Sequence, residues 1–180
     1  NTSWDFRIPL IMHASYTTTE IATWKGYADA AVTLTFDDAY EDTLRETVSP
    51  MAERGIHGTH AVITLRASQG YIPDPPWNPT WNESAANWST LQNAHDEGME
   101  LCSHTVTHNS LGNMSADGTL EQNLSESRQH ILSNITTSPQ NLTFIYPFGH
   151  HDDTAEGSTI NFSTYRDALE KYGYIAARTT

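Results

Sequence analysis

The sequence predicts an α/β fold in which parallel strands alternate with helices. The run at 31–36 is apolar or β-branched and ends in Asp37 and Asp38, as a strand buried on both faces does where it emerges at its C-terminal end. A strand, a helical stretch and a second strand then follow in order, which favours a parallel βαβ unit. The 180 residues show no internal repeat and suit one domain. Five or six such steps form either a barrel or an open sheet.

Composition limits the class of protein and its partners. A hydrophobic share of 37% is typical of a globular chain, and no apolar run approaches the roughly 20 residues of a membrane span. A net charge of −13, with only nine Lys and Arg, argues against nucleic acid or an anionic membrane surface as a partner. A neutral or cationic substrate fits this charge, although a solvated acidic surface explains it equally simply.

The asparagines predict secretion. Eight of the eleven lie in Asn-X-Ser/Thr sequons, well above chance, which indicates a secreted, N-glycosylated protein with these residues on its exposed surface. They are Asn1, Asn82, Asn87, Asn113, Asn123, Asn134, Asn141 and Asn161. The start at Asn1, without a Met or an apolar leader, is typical of a processed chain. Cys102 lies in an apolar run and predicts a buried, inert thiol.

The remaining elements follow from apolar patterns and from turn residues. The predicted strands are 8–12, 31–36, 57–65, 99–102, 141–146 and 174–178. The predicted helices are 40–48, 88–97, 120–135 and 165–172. Ser49 and Pro50 suggest the cap and first position of a further short helix that ends at Gly55. Residues 1–29 are expected to form an N-terminal strand and loop packed on a barrel domain of residues 30–180.

Residues 66–84 predict a long irregular loop, because they contain four prolines and Gly70. Trp77 and Trp81 lie in this loop and could form a rim on which a sugar stacks. Packing of the loop onto the barrel explains the two tryptophans more simply.

A second polar cluster follows the strand at 99–102, where His104 and His108 stand four residues apart. On a straight strand their Cα atoms would lie about 13 Å apart, too far to share an ion. On a helical turn they would lie roughly 5–6 Å apart on one face. Together with Asp37 or Asp38, the pair forms a candidate two-His, one-carboxylate metal site with positions open to water and substrate. Helix capping is the alternative role for either acid.

Three ordered motifs then resemble a known family. LTFDD at 34–38, SHTVTH at 103–108 and FIYPFG at 144–149 are similar to the first three motifs of the NodB-type polysaccharide deacetylases, carbohydrate esterase family four. The resemblance extends over about residues 30–180 and includes HGTHAVITL at 57–65 and GYIAART at 173–179. It implies a distorted (β/α) barrel and a metal-dependent hydrolysis of acetyl groups on sugars, usually N-acetyl groups.

The resemblance also implies roles for single residues. Asp38, His104 and His108 would bind the metal, commonly zinc, with Co²⁺, Ni²⁺ or Mn²⁺ as alternatives. Asp37 would be the general base, and the backbone N–H of Phe148 would stabilise the oxyanion. Further predictions concern substrate contacts at Tyr146, Pro147, Trp77 and Trp81. Thr105 or Thr107 would either orient the imidazoles or cap the turn, and capping is the more usual role.

Two departures from the family pattern stand out. The third motif often carries an Arg that holds the catalytic Asp, and Ile145 occupies that position here. The family's last motif supplies a His as general acid, and this chain ends at Thr180 before that motif. The barrel is therefore expected to be short at its C-terminal end. Truncation of the chain is the favoured explanation, and the alternatives are an acid supplied from elsewhere and an impaired protein. His13, His150 and His151 are candidates by position.

Three functions remain open from the sequence. The preferred one is an N-acetyl deacetylase acting on a polysaccharide or oligosaccharide of N-acetylhexosamine. An O-acetyl esterase acting on xylan would use the same site. A catalytically impaired barrel that binds glycans is the third, motivated by the missing acid and by Trp77 and Trp81. The sequence predicts no oligomeric state.

Overall fold

The computed structural model describes residues 29–70, 84–137, 142–149 and 162–179. The chain divides into two compact units, residues 1–32 and 33–180, and every element below belongs to the second unit. Its strands are β1 (Thr35–Phe36), β2 (Thr59–Val62), β3 (Glu100–Ser103), β4 (Phe144–Ile145) and β5 (Ala177–Arg178). Its helices are α1 (Glu41–Ala52), α2 (Thr64–Gln69), α3 (Trp88–Asp96), α4 (Leu111–Ala116), α5 (Leu120–Asn134) and α6 (Phe162–Lys171). The predicted N-terminal strand at 8–12 lies outside the described residues.

The five strands form one curled, parallel sheet in the order β1-β2-β3-β4-β5. Strand order follows chain order, with helices between successive strands, as in a (β/α) barrel. The predicted parallel α/β architecture is therefore confirmed. Because all strands run the same way, their carboxyl ends meet at one edge of the sheet, where ligands bind in such folds.

Neighbouring residues of a strand point to opposite faces of the sheet, and both faces are covered. On β2, Val62 joins the large core built with the helices, whereas Ala61 forms a small second cluster with Cys102 and Ile145. Burial raises the pKa of the Cys102 thiol well above its usual value, so the prediction of a buried, inert thiol is confirmed.

The first strand corrects one prediction. The run at 31–36 was expected to be a strand buried on both faces, but only Thr35 and Phe36 pair, and Leu34 is 39% exposed. Among the described residues β1 pairs with β2 alone, so it is an edge strand with one covered side. The rule that a continuous apolar run marks a strand buried on both faces therefore did not hold for this edge strand.

Two predicted element boundaries, at Pro50 and near Thr64, were wrong. Ser49 and Pro50 were expected to begin a new helix, but both lie inside α1, which continues to Ala52. Pro50 sits in the last turn, where α1 lacks one hydrogen bond to the carbonyl four residues before it and ends two residues later. The predicted strand at 57–65 ends early because α2 begins at Thr64. The helices predicted at 88–97, 120–135 and 165–172 are confirmed as α3, α5 and α6.

Within the described ranges, no helix is both long enough and apolar enough to cross a membrane.

Candidate metal centre

Three polar side chains meet at the carboxyl edge of the sheet. Asp38 follows β1, and His104 and His108 follow β3. Asp38 Oδ1 lies 3.3 Å from His108 Nε2 and 3.7 Å from His104 Nε2. The two Nε2 atoms lie 3.1 Å apart. The structure thus brings together the three residues that the family resemblance assigns to a metal.

The chain between the two histidines is turned, as sharing an ion requires. Thr105 and His108 adopt left-handed backbone conformations, with φ of 68° and 61°. The hydroxyl of Thr105 accepts a hydrogen bond from the His108 N–H at 2.9 Å and so caps the turn. Of the two roles considered for Thr105, capping is the one observed. Thr107 bonds to Asn123 instead of to an imidazole.

Both imidazoles are prepared to act as neutral ligands. His104 Nδ1 lies 2.8 Å from the carbonyl oxygen of Ile145, which can only accept, so Nδ1 carries the proton and Nε2 keeps its lone pair. Burial lowers the pKa of His104, and burial lowers the pKa of His108 to about 4. At neutral pH both rings therefore present an unprotonated nitrogen to the cluster.

The donor set fits a divalent metal ion. Ligands held at 2.0–2.1 Å by one tetrahedral zinc lie about 3.3 Å from one another, close to the three separations found here. Asp38 Oδ1 is also buried and has no hydrogen-bond partner in the described part of the chain. A buried carboxylate oxygen without a donor is costly unless a cation neutralises it. Two neutral imidazoles and one carboxylate suit zinc and related metals.

Asp37 lies beside this cluster and is held by a residue that the sequence analysis did not assign. Arg178 Nη2 donates to Asp37 Oδ1 at 2.9 Å. Arg178 pairs in register with Ile145, the position at which the family often has its arginine. The guanidinium therefore comes from the neighbouring strand at the same level of the sheet. The sequence did contain a signal for this role of Arg178. It is a basic residue at the end of the last predicted strand, which places a cation at the edge where the two acids lie.

Capping is excluded as the role of either acid in α1. The N-cap of α1 is Tyr40, and no side chain caps the helix. Asp38 and the following Ala39 instead adopt left-handed conformations, with φ of 73° and 53°. This bend turns Asp38 toward the two histidines.

The third motif supplies one exposed aromatic ring and two buried residues. Phe148 is 58% exposed, and its ring centre lies 4.6 Å from that of His108. Tyr146 is 2% exposed and packs edge-on against Phe144, and Pro147 is buried as well. The side chains of Tyr146 and Pro147 thus lie in the interior, and the predicted contact of these residues with substrate stays a prediction. The oxyanion role of the Phe148 N–H stays a prediction.

Backbone strain is concentrated at this site. Five described non-glycine residues have positive φ: Asp38, Ala39, Thr105, His108 and Phe148. Four of them are a ligand, its neighbour in the chain or part of the turn between the histidines, and the fifth, Phe148, packs its ring against His108. Left-handed conformations of non-glycine residues are uncommon and collect where function requires them. The strained backbone conformations thus indicate the same functional site as the cluster of Asp38, His104 and His108.

A polar groove of about 520 Å³ begins at His108 and extends along α5. It is lined by Val106, Thr107, His108, Asn109, Asp117, Thr119, Gln122, Asn123 and Glu126. Its two charged side chains, Asp117 and Glu126, are both acidic. Amide and carboxylate groups of this kind can bind sugar hydroxyls.

Several predicted residues lie outside the described ranges. They are Trp77, Trp81, His13, His150, His151, and the sequons at Asn1, Asn82, Asn141 and Asn161. Their predicted roles stay predictions.

The four described sequons are not equivalent. Asn87, Asn113 and Asn134 are exposed, as glycosylation requires. Asn123 is 7% exposed, its Nδ2 donates to the Thr119 carbonyl, and its Oδ1 accepts from Thr107. The expectation of an exposed surface was therefore wrong for Asn123, because α5 turns this residue toward the α4–α5 connection.

The fold and the cluster define an α/β protein with a candidate two-His, one-carboxylate site. Residues 25–173 match the family model described as polysaccharide deacetylase, so the chain belongs to the polysaccharide deacetylase family. A comparison with curated proteins gave no significant match.

Solved structures share the fold. The chain is similar to the Streptococcus pyogenes deacetylase PplD in complex with acetate, at 21% identity and a TM-score of 0.61, covering 82% of this chain and 54% of that one. It is also similar to a de-N-acetylase from Aggregatibacter actinomycetemcomitans, at 16% identity and a TM-score of 0.61, covering 88% and 70% of the two chains. IcaB from Ammonifex degensii matches at 15% identity and a TM-score of 0.58, covering 81% and 57%. The chain spans about half the length of PplD, and these likenesses establish the fold.

Proposed function

We propose that this protein is a secreted, metal-dependent hydrolase that removes N-acetyl groups from a polysaccharide or oligosaccharide of N-acetylhexosamine. One observation carries the proposal: Asp38, His104 and His108 offer three ligand atoms within 4.8 Å of one another. Family membership supports the reaction class, and the exposed sequons Asn87 and Asn113 support secretion.

Asp38, His104 and His108 would hold the metal. A bound divalent ion polarises a carbonyl group and lowers the pKa of its bound water toward neutral pH. Asp37 would take the proton from the attacking water, since it lies next to Asp38 in the chain at the same edge of the sheet. Arg178 would keep the Asp37 carboxylate in one orientation through its bond to Oδ1.

The surroundings of the cluster support a sugar substrate. The exposed ring of Phe148 offers an apolar face beside His108, of the kind on which sugar rings pack. The charged side chains of the polar groove that includes His108 are both acidic, which suits a neutral acetylated polymer and the amine left after deacetylation. The group that would protonate the leaving amine is unassigned: His13, His150 and His151 are candidates by position, and a residue beyond Thr180 is another.

Acetate release from N-acetylglucosamine oligomers tests the proposal. We expect release by the zinc-loaded protein, loss of release after chelation, and recovery when zinc is returned. Asp37→Asn should lower release by at least 100-fold because it removes the base, an effect in the range of general acid–base catalysis. Asp42→Asn, at an exposed acid on the surface of α1, is the matched control and should keep full activity.

Two outcomes would contradict the proposal. One is release that is unchanged by chelation or by Asp37→Asn. The other is release from acetylated xylan without release from the N-acetylated oligomers, which would instead support the O-acetyl esterase.

A further inference from the structure

A guanidinium lies on the outer side of the metal cluster and has no role in the reaction proposed above. Arg66 is in α2, and its Nη1 atom lies 3.6 Å from Asp38 Oδ2. The Arg66 side chain is only 20% exposed, and Nη1 itself is buried without a hydrogen-bond partner in the described ranges. A buried donor in this position points to a use at the carboxylate beside it.

The two oxygens of Asp38 face different groups. Oδ1 faces the histidines, at 3.3 Å from His108 Nε2 and 3.7 Å from His104 Nε2. Oδ2 faces Arg66. One oxygen of the carboxylate therefore belongs to the cluster, and the other pairs with a cation held in place by the fold.

Arg66 is also fixed relative to the histidine turn. The N–H groups of Thr64 and Leu65, at the start of α2, donate to the carbonyls of Thr105 and Val106 at 3.2 and 3.1 Å. These carbonyls belong to the turn that connects the two histidine ligands. The Thr64 hydroxyl lies 3.0 Å from His130 Nδ1, which ties α2 to α5 as well. The backbone that carries Arg66 is thus hydrogen-bonded to the turn that connects the two histidine ligands.

We propose that Arg66 is a positioning residue of the metal centre: it holds Asp38 by Oδ2, so that Oδ1 alone is a ligand. A carboxylate can bind a metal through one oxygen or two, and a cation paired with the second oxygen favours binding through one. Binding through one oxygen keeps a coordination position for water and substrate. The inference rests on the metal centre of the proposed function, and it predicts properties of the centre in the absence of any sugar.

Metal binding by Arg66 variants tests this inference. Zinc affinity is measured by competition with a chromophoric chelator, and the geometry of the centre by the visible spectrum of the cobalt-loaded protein. Arg66→Met should lower zinc affinity by about 10- to 100-fold, the usual effect of losing a group that orients a ligand. The cobalt bands should weaken, since a second carboxylate oxygen joining the ion raises its coordination number.

Two further variants make the result specific. Arg66→Gln keeps a neutral donor and should regain part of the zinc affinity and part of the cobalt band intensity. This variant also replaces Arg66→Met in the test if Arg66→Met folds poorly. Arg45→Met removes an exposed arginine of α1 that pairs with Asp42, and it should leave affinity and spectrum unchanged. Each protein is compared at equal folded fraction, judged by its circular dichroism.

The proposal is overturned if folded Arg66→Met binds zinc as tightly as the unmodified chain with the same cobalt spectrum, or if Arg66→Gln regains no more affinity than Arg66→Met. It is also overturned by tighter binding, which would mean that the guanidinium only repels the ion. A protein that binds zinc as described here but releases no acetate would refute the proposed function and leave this inference standing.

Discussion

His60 should contribute to the loss of stability of this fold in acid. The side chain is fully buried on β2 and stacks on Phe36 with ring centres 4.9 Å apart. In the described structure neither ring nitrogen has a hydrogen-bond partner. Burial lowers the pKa of His60 from 6.5 to about 4. The folded chain therefore excludes a proton that the unfolded chain binds over this range.

The sign and size of the effect follow from linkage. Between pH 6.5 and pH 4 the unfolded state binds more protons, so the free energy of unfolding falls as the pH is lowered. The stabilisation is fully present above pH 6.5 and is lost as the pH approaches 4. At about 1.4 kcal/mol per pKa unit, the loss by pH 4.5 is about 2.5 kcal/mol.

Replacing His60 by Phe should remove this acid sensitivity. The substitution keeps a ring against Phe36 and removes two unpaired nitrogens, so we expect a gain of about 1–3 kcal/mol at pH 7.5. The advantage over the unmodified chain should grow by about 2.5 kcal/mol at pH 4.5. Urea unfolding at both pH values measures it. His57→Phe, at an exposed ring, is the control and should follow the unmodified chain. An advantage of His60→Phe that is equal at both pH values would refute the reasoning.

Three further predictions concern the site and its surface. Arg178→Met should lower kcat for acetate release by about 10- to 100-fold, since it frees the Asp37 carboxylate, whereas this half-exposed pair should contribute no more than about 1 kcal/mol to stability in urea unfolding. An unchanged kcat would contradict the orienting role. Phe148→Ala should be less stable than Phe148→Gly by about 1 kcal/mol and so unfold at a lower temperature, because only glycine adopts a φ of 60° without strain. Equal melting temperatures would argue against that strain. In an N-glycosylating host, glycopeptide mass spectrometry should find a glycan at Asn113 and none at Asn123, and a modified Asn123 would contradict its burial.

Sequence periodicity was informative where an element carried a continuous apolar face. α5 and α3 were found for this reason, because each buries one side against the sheet. α4 and α2 were missed. Both are only six residues long, too short for a helical period to repeat, and α2 continues directly from the apolar run of β2.

Only the side chains proposed to bind the metal or the reacting water could be predicted from the sequence. Asp38, His104 and His108 carry chemistry that a sequence displays, and the resemblance ordered them. Ile145 contributes its carbonyl oxygen to His104, a role that any residue type could fill and that the sequence therefore does not reveal. Arg178 meets Asp37 from 141 positions away, and only the strand register brings the two together.

The left-handed residues around the cluster have a consequence for how the protein responds to its metal. Each non-glycine residue in that conformation costs about 1–2 kcal/mol, and the turn carrying Thr105 and His108 has two of them. The ends of the strands thus carry a local cost that the surrounding contacts must offset. A bound ion would favour the arrangement that brings the three ligands together, so its binding free energy would add to the stability of this edge. The metal would then act as the last folding element of the sheet edge, in addition to its part in hydrolysis.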